Sequence, residues 1–207
     1  MNRFEIYNPL MSAIVESLIT VLKDKYPTIQ LSNVCSISKQ IKEENPALDK
    51  IITVKLHCKG VCKSSAENLL LGATAYYKRK KGQLIYGKQN FHHGAIGVVP
   101  DDLDGGITSK DIPSFDIDSS KCDVLFIMYQ MQRPQYYRSV EALTTGTGSK
   151  RLKENVFLKL PIILPDINIQ KQIVCIIKSM IEKQKIEESI LEDLQNQKKY
   201  LLQQMFI

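Results

Sequence analysis

The chain has 207 residues, is 43% hydrophobic and carries a formal net charge of +6, with a sequence pI near 9.0. These values fit one globular domain with an appended helix, and the mild excess of Lys and Arg favours a polyanionic partner. No run of about eighteen apolar residues occurs, so no membrane span is expected. The N-terminus lacks the basic and apolar segments of a signal peptide. Five cysteines in no regular framework point to reduced thiols in a cytoplasm.

Residues 1–28 form an N-terminal segment. A helix is expected from Asn8 to Lys25, with Asn8 as its cap, Pro9 in its first turn and an apolar face of Ile14, Leu18, Val21 and Leu22. Tyr26-Pro27 ends it. Residues 29–165 read as a mixed α/β domain with a small, irregular sheet. "IQLSNVCSISKQI" is a helical turn leading into a short strand, "KEENPALD" a loop, and "KIITVKLHC" a strand. "GQLIYG" and "GAIGVVP" are strands bounded by glycine turns, and the apolar run "DVLFIMYQM" has the length of a buried strand. "QRPQYYRSVEAL" is a polar turn and short helix whose interleaved Arg133, Tyr136, Tyr137 and Arg138 suit phosphate contact or an ordinary surface helix. "NVFLKLPIILP" is expected as a strand that ends at Pro165.

Residues 166–207 are the longest uninterrupted segment. Pro165 cannot lie inside a helix, Asp166 is a good N-cap, and no Pro or Gly follows. Apolar residues fall at steps of four and three: Ile173, Ile177, Met180, Leu191, Leu194, Leu201 and Met205, with Gln184, Glu187 and Lys198 on the same line. That rhythm is the period of a helix wound on another helix. Ile176, Ile181, Ile190, Leu202 and Phe206 widen the stripe. The helix is roughly 57 Å long, more than the roughly 34–36 Å of one DNA turn. It is suited to meeting a second helix and holding something at a distance.

Polar chemistry gathers in the middle of the chain. Lys78, Arg79, Lys80 and Lys81 run together, flanked by Tyr76, Tyr77 and Tyr86, and Gln89, Asn90, His92 and His93 follow. Lys and Arg neutralise phosphates, and Asn, Gln and Arg pair with base edges. The plainer alternative is a solvated basic hairpin with turn-capping histidines. In "TTGTGSKRL", two glycines among hydroxyl residues offer backbone N–H groups to a phosphate, with Lys150, Arg151 and Lys153 next. Other constellations are weaker. His57, Cys58 and Cys62, with Cys35, match no zinc spacing, so buried thiols and no metal are expected. Asp101, Asp102 and Asp104 do not continue as a calcium loop. Asp116, Asp118 and Lys121 are poorly ordered for a nuclease, and His93 has no nucleophile or carboxylate at a useful spacing. No catalytic residue is assigned.

"GTGSKRL", the strand ending "LPIILP", "QKQI" and the helix ending "QKKYLLQQMF" together resemble the specificity subunit of type I restriction–modification enzymes. "GQLIYGKQNFHHGAIGVVPDDLDGGITSKDIPSF" resembles the body of that family's target recognition domain. The resemblance runs from about Ile29 to the C-terminus. Asn168-Ile169-Gln170 departs from it, since the family often has Glu before the first Gln of the helix. The familiar subunit carries two recognition domains and two antiparallel spacer helices; this chain has one of each.

The resemblance implies a half-sized, non-catalytic specificity subunit that reads double-stranded DNA. A second copy would pair antiparallel through the helix, crossing near Gln184 and Glu187 with Lys183 facing Glu192 of the partner. The pair would read inverted half-sites separated by an unread gap. The chain would need no cofactor. S-adenosylmethionine would belong to a separate modification (methyltransferase) subunit and cleavage to a restriction subunit. On residue type, the expected DNA contacts are Lys78, Arg79, Lys80, Gln89, Asn90, His92, Lys150 and Arg151. The expected dimer interface is Ile173, Ile177, Met180, Leu191, Leu194, Leu201 and Met205. A coiled-coil adaptor without DNA binding, or a nuclease using His93 or Asp118, are the competing readings.

Overall fold

The computed structural model describes residues 9–64, 74–145 and 150–205. It contains α1 (Pro9–Lys23), β1 (Thr28–Gln30), β2 (Cys35–Ile37), β3 (Ile52–Val54), β4 (Val61–Lys63), β5 (Tyr76–Lys78), β6 (Leu84–Tyr86), β7 (Ile96–Val98), β8 (Ile107–Ser109) and β9 (Ser114–Ile117). Then come α2 (Val124–Met131), α3 (Pro134–Ser139), α4 (Glu154–Phe157), β10 (Pro161–Ile163) and α5 (Ile167–Met205). This is the small mixed-sheet domain with a long C-terminal helix that the sequence implies. Among the described residues no helix is long and apolar enough to cross a membrane.

The centre is a four-stranded antiparallel sheet in the order β2-β9-β6-β7. The period of two in β6 divides its side chains between two cores. Leu84 and Tyr86 face the larger core with the helices, whereas Ile85 faces the smaller one, which includes Ile52, Val54 and Val61 from the β3–β4 hairpin. In β7, Ile96 and Val98 likewise belong to the larger core. Between them, Gly97 allows the hairpin to come close, because a Cβ there would lie 2.9 Å from Val61 Cγ2. Tyr86 is the hub of the larger core. Its ring stacks on Phe157 at 4.4 Å and meets Phe91 edge-on at 5.5 Å, and its hydroxyl donates to the Leu152 carbonyl at 3.0 Å.

Three elements differ from the sequence expectation. "DVLFIMYQM" is not a strand but α2. Asp123 caps it, its carboxylate accepting from the Leu125 and Phe126 N–H groups, and all residues from Leu125 to Met131 are buried. A helix buried all round has no apolar stripe, so length and composition imitate a strand. "NVFLKLPIILP" is a helical turn, α4, followed by the short strand β10. In α1 the buried face is Val15, Ile19 and Leu22, while Val21 is 54% exposed; the three buried residues form their own stripe at steps of four and three. The proposed Asn8 cap lies outside the described residues.

Two buried glutamines hold the helices to the sheet framework. Gln130 in α2 donates to the Ile163 carbonyl and accepts from the Ile163 N–H, both at 2.9 Å, so its amide satisfies the edge of β10 as a neighbouring strand would. Gln170 in the first turn of α5 accepts from the Asp123 N–H at 2.9 Å and donates to the carbonyls of Pro165 and Lys121 at 2.8 and 3.1 Å. Three turns of α5 after it then pack into the larger core through Ile173, Val174, Ile177 and Ile181. Beyond Lys185 the helix is exposed, including Leu191, Leu194 and Leu201 at 56%, 56% and 58%.

Replacing Gln170 by Leu removes three hydrogen bonds and leaves buried main-chain groups unmatched. Urea unfolding followed by circular dichroism is expected to show a loss of about 2–4 kcal/mol.

Candidate nucleic-acid interface

The turn after β6 is closed by its own backbone. The Gly87 N–H donates to the Ala95 carbonyl and the Ala95 N–H to the Asn90 carbonyl, both at 3.0 Å. This presents Lys88, Gln89, Asn90, His92 and His93 on one turn. A second loop clamps it from the side: His57 and Cys58 both adopt left-handed backbone angles (φ 58°). Their N–H groups donate to the His93 and Gly94 carbonyls at 2.7 and 2.9 Å. Two consecutive non-glycine residues there cost on the order of 1 kcal/mol or more each, which those two hydrogen bonds and the buried Cys58 side chain help offset.

The segment after the glycine loop lies against the same turn. The Leu152 N–H donates to the Lys88 carbonyl at 2.9 Å, and Thr145 and Arg151 exchange two backbone hydrogen bonds. The result is a cluster of ion pairs: Lys88 with Glu154 at 2.7 Å, Arg151 with Asp111 at 3.0 Å and Lys150 with Glu141 at 3.1 Å. The last two are about half exposed on both sides. Such exposed pairs contribute little to stability, so their cations can exchange a carboxylate for a phosphate at low cost. The His92 and His93 rings lie 4.1 Å apart. Burial, then the neighbouring His93, holds His92 below the ordinary histidine range, so it is neutral at neutral pH. Residues 146–149, whose backbone N–H groups the sequence offered to a phosphate, lie outside the described residues.

Of the eight expected DNA contacts, Gln89, Asn90, His92, Lys150 and Arg151 therefore share one face. Lys88 and Asp111 join it without having been expected, although Lys88 directly precedes Gln89 in the sequence. Lys78 and Lys80 do not join it. Lys78 pairs with Glu43 at 3.2 Å. Lys80 and Lys81 lie on the turn at the opposite end of β6; Asp101 and Asp104 bind Lys81 there.

Arg79 is a correction. It is fully buried (0% exposed) and faces no DNA. Its guanidinium donates to Thr108 Oγ1 at 2.7 Å, Ser114 Oγ at 3.1 Å, the Ile112 carbonyl at 3.1 Å and Gln40 Oε1 at 3.4 Å. Burial lowers its pKa to about 10, which leaves it charged at neutral pH. It ties the β5–β8 pair to β9. Ile173 and Ile177 are a second correction: both are buried in the chain's own core (8% and 1% exposed) and cannot form a surface for a second copy. A heptad stripe and an ordinary core-facing stripe begin alike in sequence.

The other polar groupings have local explanations. Asp118 accepts from the Ser120 hydroxyl at 2.6 Å and pairs with Lys121 at 3.0 Å, and those contacts, Ser120 first, hold its carboxyl low. This is turn chemistry rather than a nuclease centre. Cys35 and Cys122 are buried, and burial pushes both thiols up to about 12. Among the described residues no three His, Cys, Asp or Glu groups converge to hold a metal. Tyr137 is buried, and the Tyr136 hydroxyl donates to the Pro161 carbonyl, so these tyrosines serve packing.

Residues 67–196 match the family described as type I restriction modification DNA specificity domain. No curated protein matches. Among solved structures, the HsdS subunit from Thermoanaerobacter tengcongensis is similar, with a TM-score of 0.58 and 15% identity over 86% of this chain and 48% of that one. A chain from a structure of complex assembly and conformational transition of the type I R-M system gives 0.57 and 16%, over 85% of this chain and 47% of that one. The type I restriction-modification S subunit from M. genitalium gives 0.54 and 11%, over 94% and 53%. The chain thus spans about half the length of the solved structures it matches.

Replacing Arg79 by Met strands the hydroxyls and carbonyl it now satisfies. Chemical denaturation is expected to report a loss of about 2–4 kcal/mol, with no change in the DNA affinity of the folded protein.

Proposed function

The chain belongs to the type I restriction modification DNA specificity domain family, and from that premise we propose that it is a sequence reader rather than a catalyst. The observation that carries the reading is the face built from Lys88, Gln89, Asn90, His92, Lys150 and Arg151, which supplies both classes of contact a reader needs. Lys150 and Arg151 meet phosphates and set the register; the Asn90 and Gln89 amides reach base edges. Chemistry on the DNA belongs to other subunits: a modification subunit holding S-adenosylmethionine and a restriction subunit.

The exposed half of α5 supports the second part of the proposal, pairing with a second copy. One recognition domain contacts only a few base pairs. Two domains joined by a two-fold axis read inverted half-sites, and the helix sets the gap between them. The paired helices also offer an outer face to modification subunits. A coiled-coil adaptor would need the helix but not the amide- and cation-bearing turn.

Binding to a fluorescent duplex of random sequence, measured by anisotropy across a salt series, tests the DNA face. Lys150→Ala with Arg151→Ala is expected to weaken binding about tenfold and to reduce the salt slope by about two. Lys80→Ala with Lys81→Ala, at the other end of β6, is the control and should leave both unchanged. Equal losses from the two pairs would place the interface elsewhere.

A further inference from the structure

The stripe of α5 changes role along its length. Ile173, Ile177 and Ile181 are spent on the chain's own core, and Met180 is half-buried at its edge. The stretch that lies outside the chain's own core runs from Gln184 to Met205. Its core-type positions are Gln184, Glu187, Leu191, Leu194, Lys198, Leu201 and Met205. Glu187 and Lys198 are exposed, and Glu187 pairs with Lys183 on its own helix at 3.7 Å.

We propose that this distal stretch pairs antiparallel with a second copy about a two-fold axis between Glu192 and Asp193, with Glu187 of each chain opposite Lys198 of the other. The inference rests on the self-pairing reading above and fixes its surface and register. In this register Leu191 faces Leu194, Gln184 faces Leu201 and Met180 faces Met205, each contact occurring twice by symmetry. Every layer joins unlike heptad positions, as antiparallel packing requires. The end of each helix then arrives where the partner's helix leaves its own domain, a shared length of roughly 38 Å.

Charge excludes the alternatives. Sliding one chain by a heptad in one direction sets Glu187 against Leu191 and Lys198 against Met180. Sliding it in the other direction sets Glu187 against Met205 and Lys198 against Leu194. Both leave charges in apolar layers without a partner, which is costly. Parallel pairing sets Glu187 against Glu187 and Lys198 against Lys198. The arrangement also replaces the crossing near Gln184 and Glu187 expected from sequence, with Lys183 facing Glu192. That crossing would draw on Ile177 and Ile181, which the domain already covers.

Sedimentation equilibrium on the full chain tests this. Glu187→Lys and Lys198→Glu are each expected to weaken self-association about tenfold or more, and the double exchange to restore it to within about threefold. A disulfide check accompanies it in a Cys175→Ser background: Gln184→Cys mixed with Leu201→Cys should cross-link between the two engineered positions, and Gln184→Cys alone should not. Two single exchanges that associate like the wild type, while Leu191→Glu with Leu194→Glu dissociates, would overturn the register and leave the pairing standing. Gln184→Cys cross-linking to itself would overturn the antiparallel sense. A monomeric wild type would overturn register and self-pairing together.

Discussion

The structure depends on the docking of the first four turns of α5 against the domain. Gln170 fixes the angle at which the helix leaves, through one accepted and two donated hydrogen bonds to main chain. Ile173, Val174, Ile177 and Ile181 then bury one stripe in the same core that holds the Tyr86 aromatic cluster. Buried apolar area makes this joint strong, and the buried amide makes it directional. A helix attached so firmly at one end works as a lever: whatever its far half binds fixes the position of the domain.

That rigidity continues through the sheet to the cation-bearing turn. β6 contributes Tyr86 to the core and, directly after it, the turn carrying Lys88 to His93. The Tyr86 hydroxyl and the Lys88 carbonyl both hold Leu152, next to Lys150 and Arg151. Two stretches distant in sequence are therefore placed side by side by main-chain contacts, while the charged ends of Lys150 and Arg151 stay at the surface. The acids Asp111, Glu141 and Glu154 pair with these cations and so offset their mutual repulsion.

Much of this was legible in the sequence. The long helix, its start after Pro165 and the glycine-bounded strands β6 and β7 follow from periodicity and breakers. Gln89, Asn90, His92, Lys150 and Arg151 lie on two polar loops that main-chain hydrogen bonds bring together. The failures have physical causes. α2 is buried on every side, so it shows no period. Arg79 sits in a run of lysines, and residue type alone cannot tell a buried guanidinium from an exposed one. Ile173 and Ile177 continue a heptad that is indistinguishable, in one sequence, from a stripe facing the chain's own core. Lys78 and Lys80 are close to Gln89 in sequence but are separated from it by the strand between them.

The central claim is that one recognition face, rigidly joined to a self-pairing helix, reads DNA as half of a symmetric reader. Selection of bound duplexes from a random-sequence library by the purified chain tests it most directly. The account predicts recovered sites made of two inverted half-sites at one fixed spacing. Recovered duplexes with a single half-site, with variable spacing or with no shared sequence would contradict it.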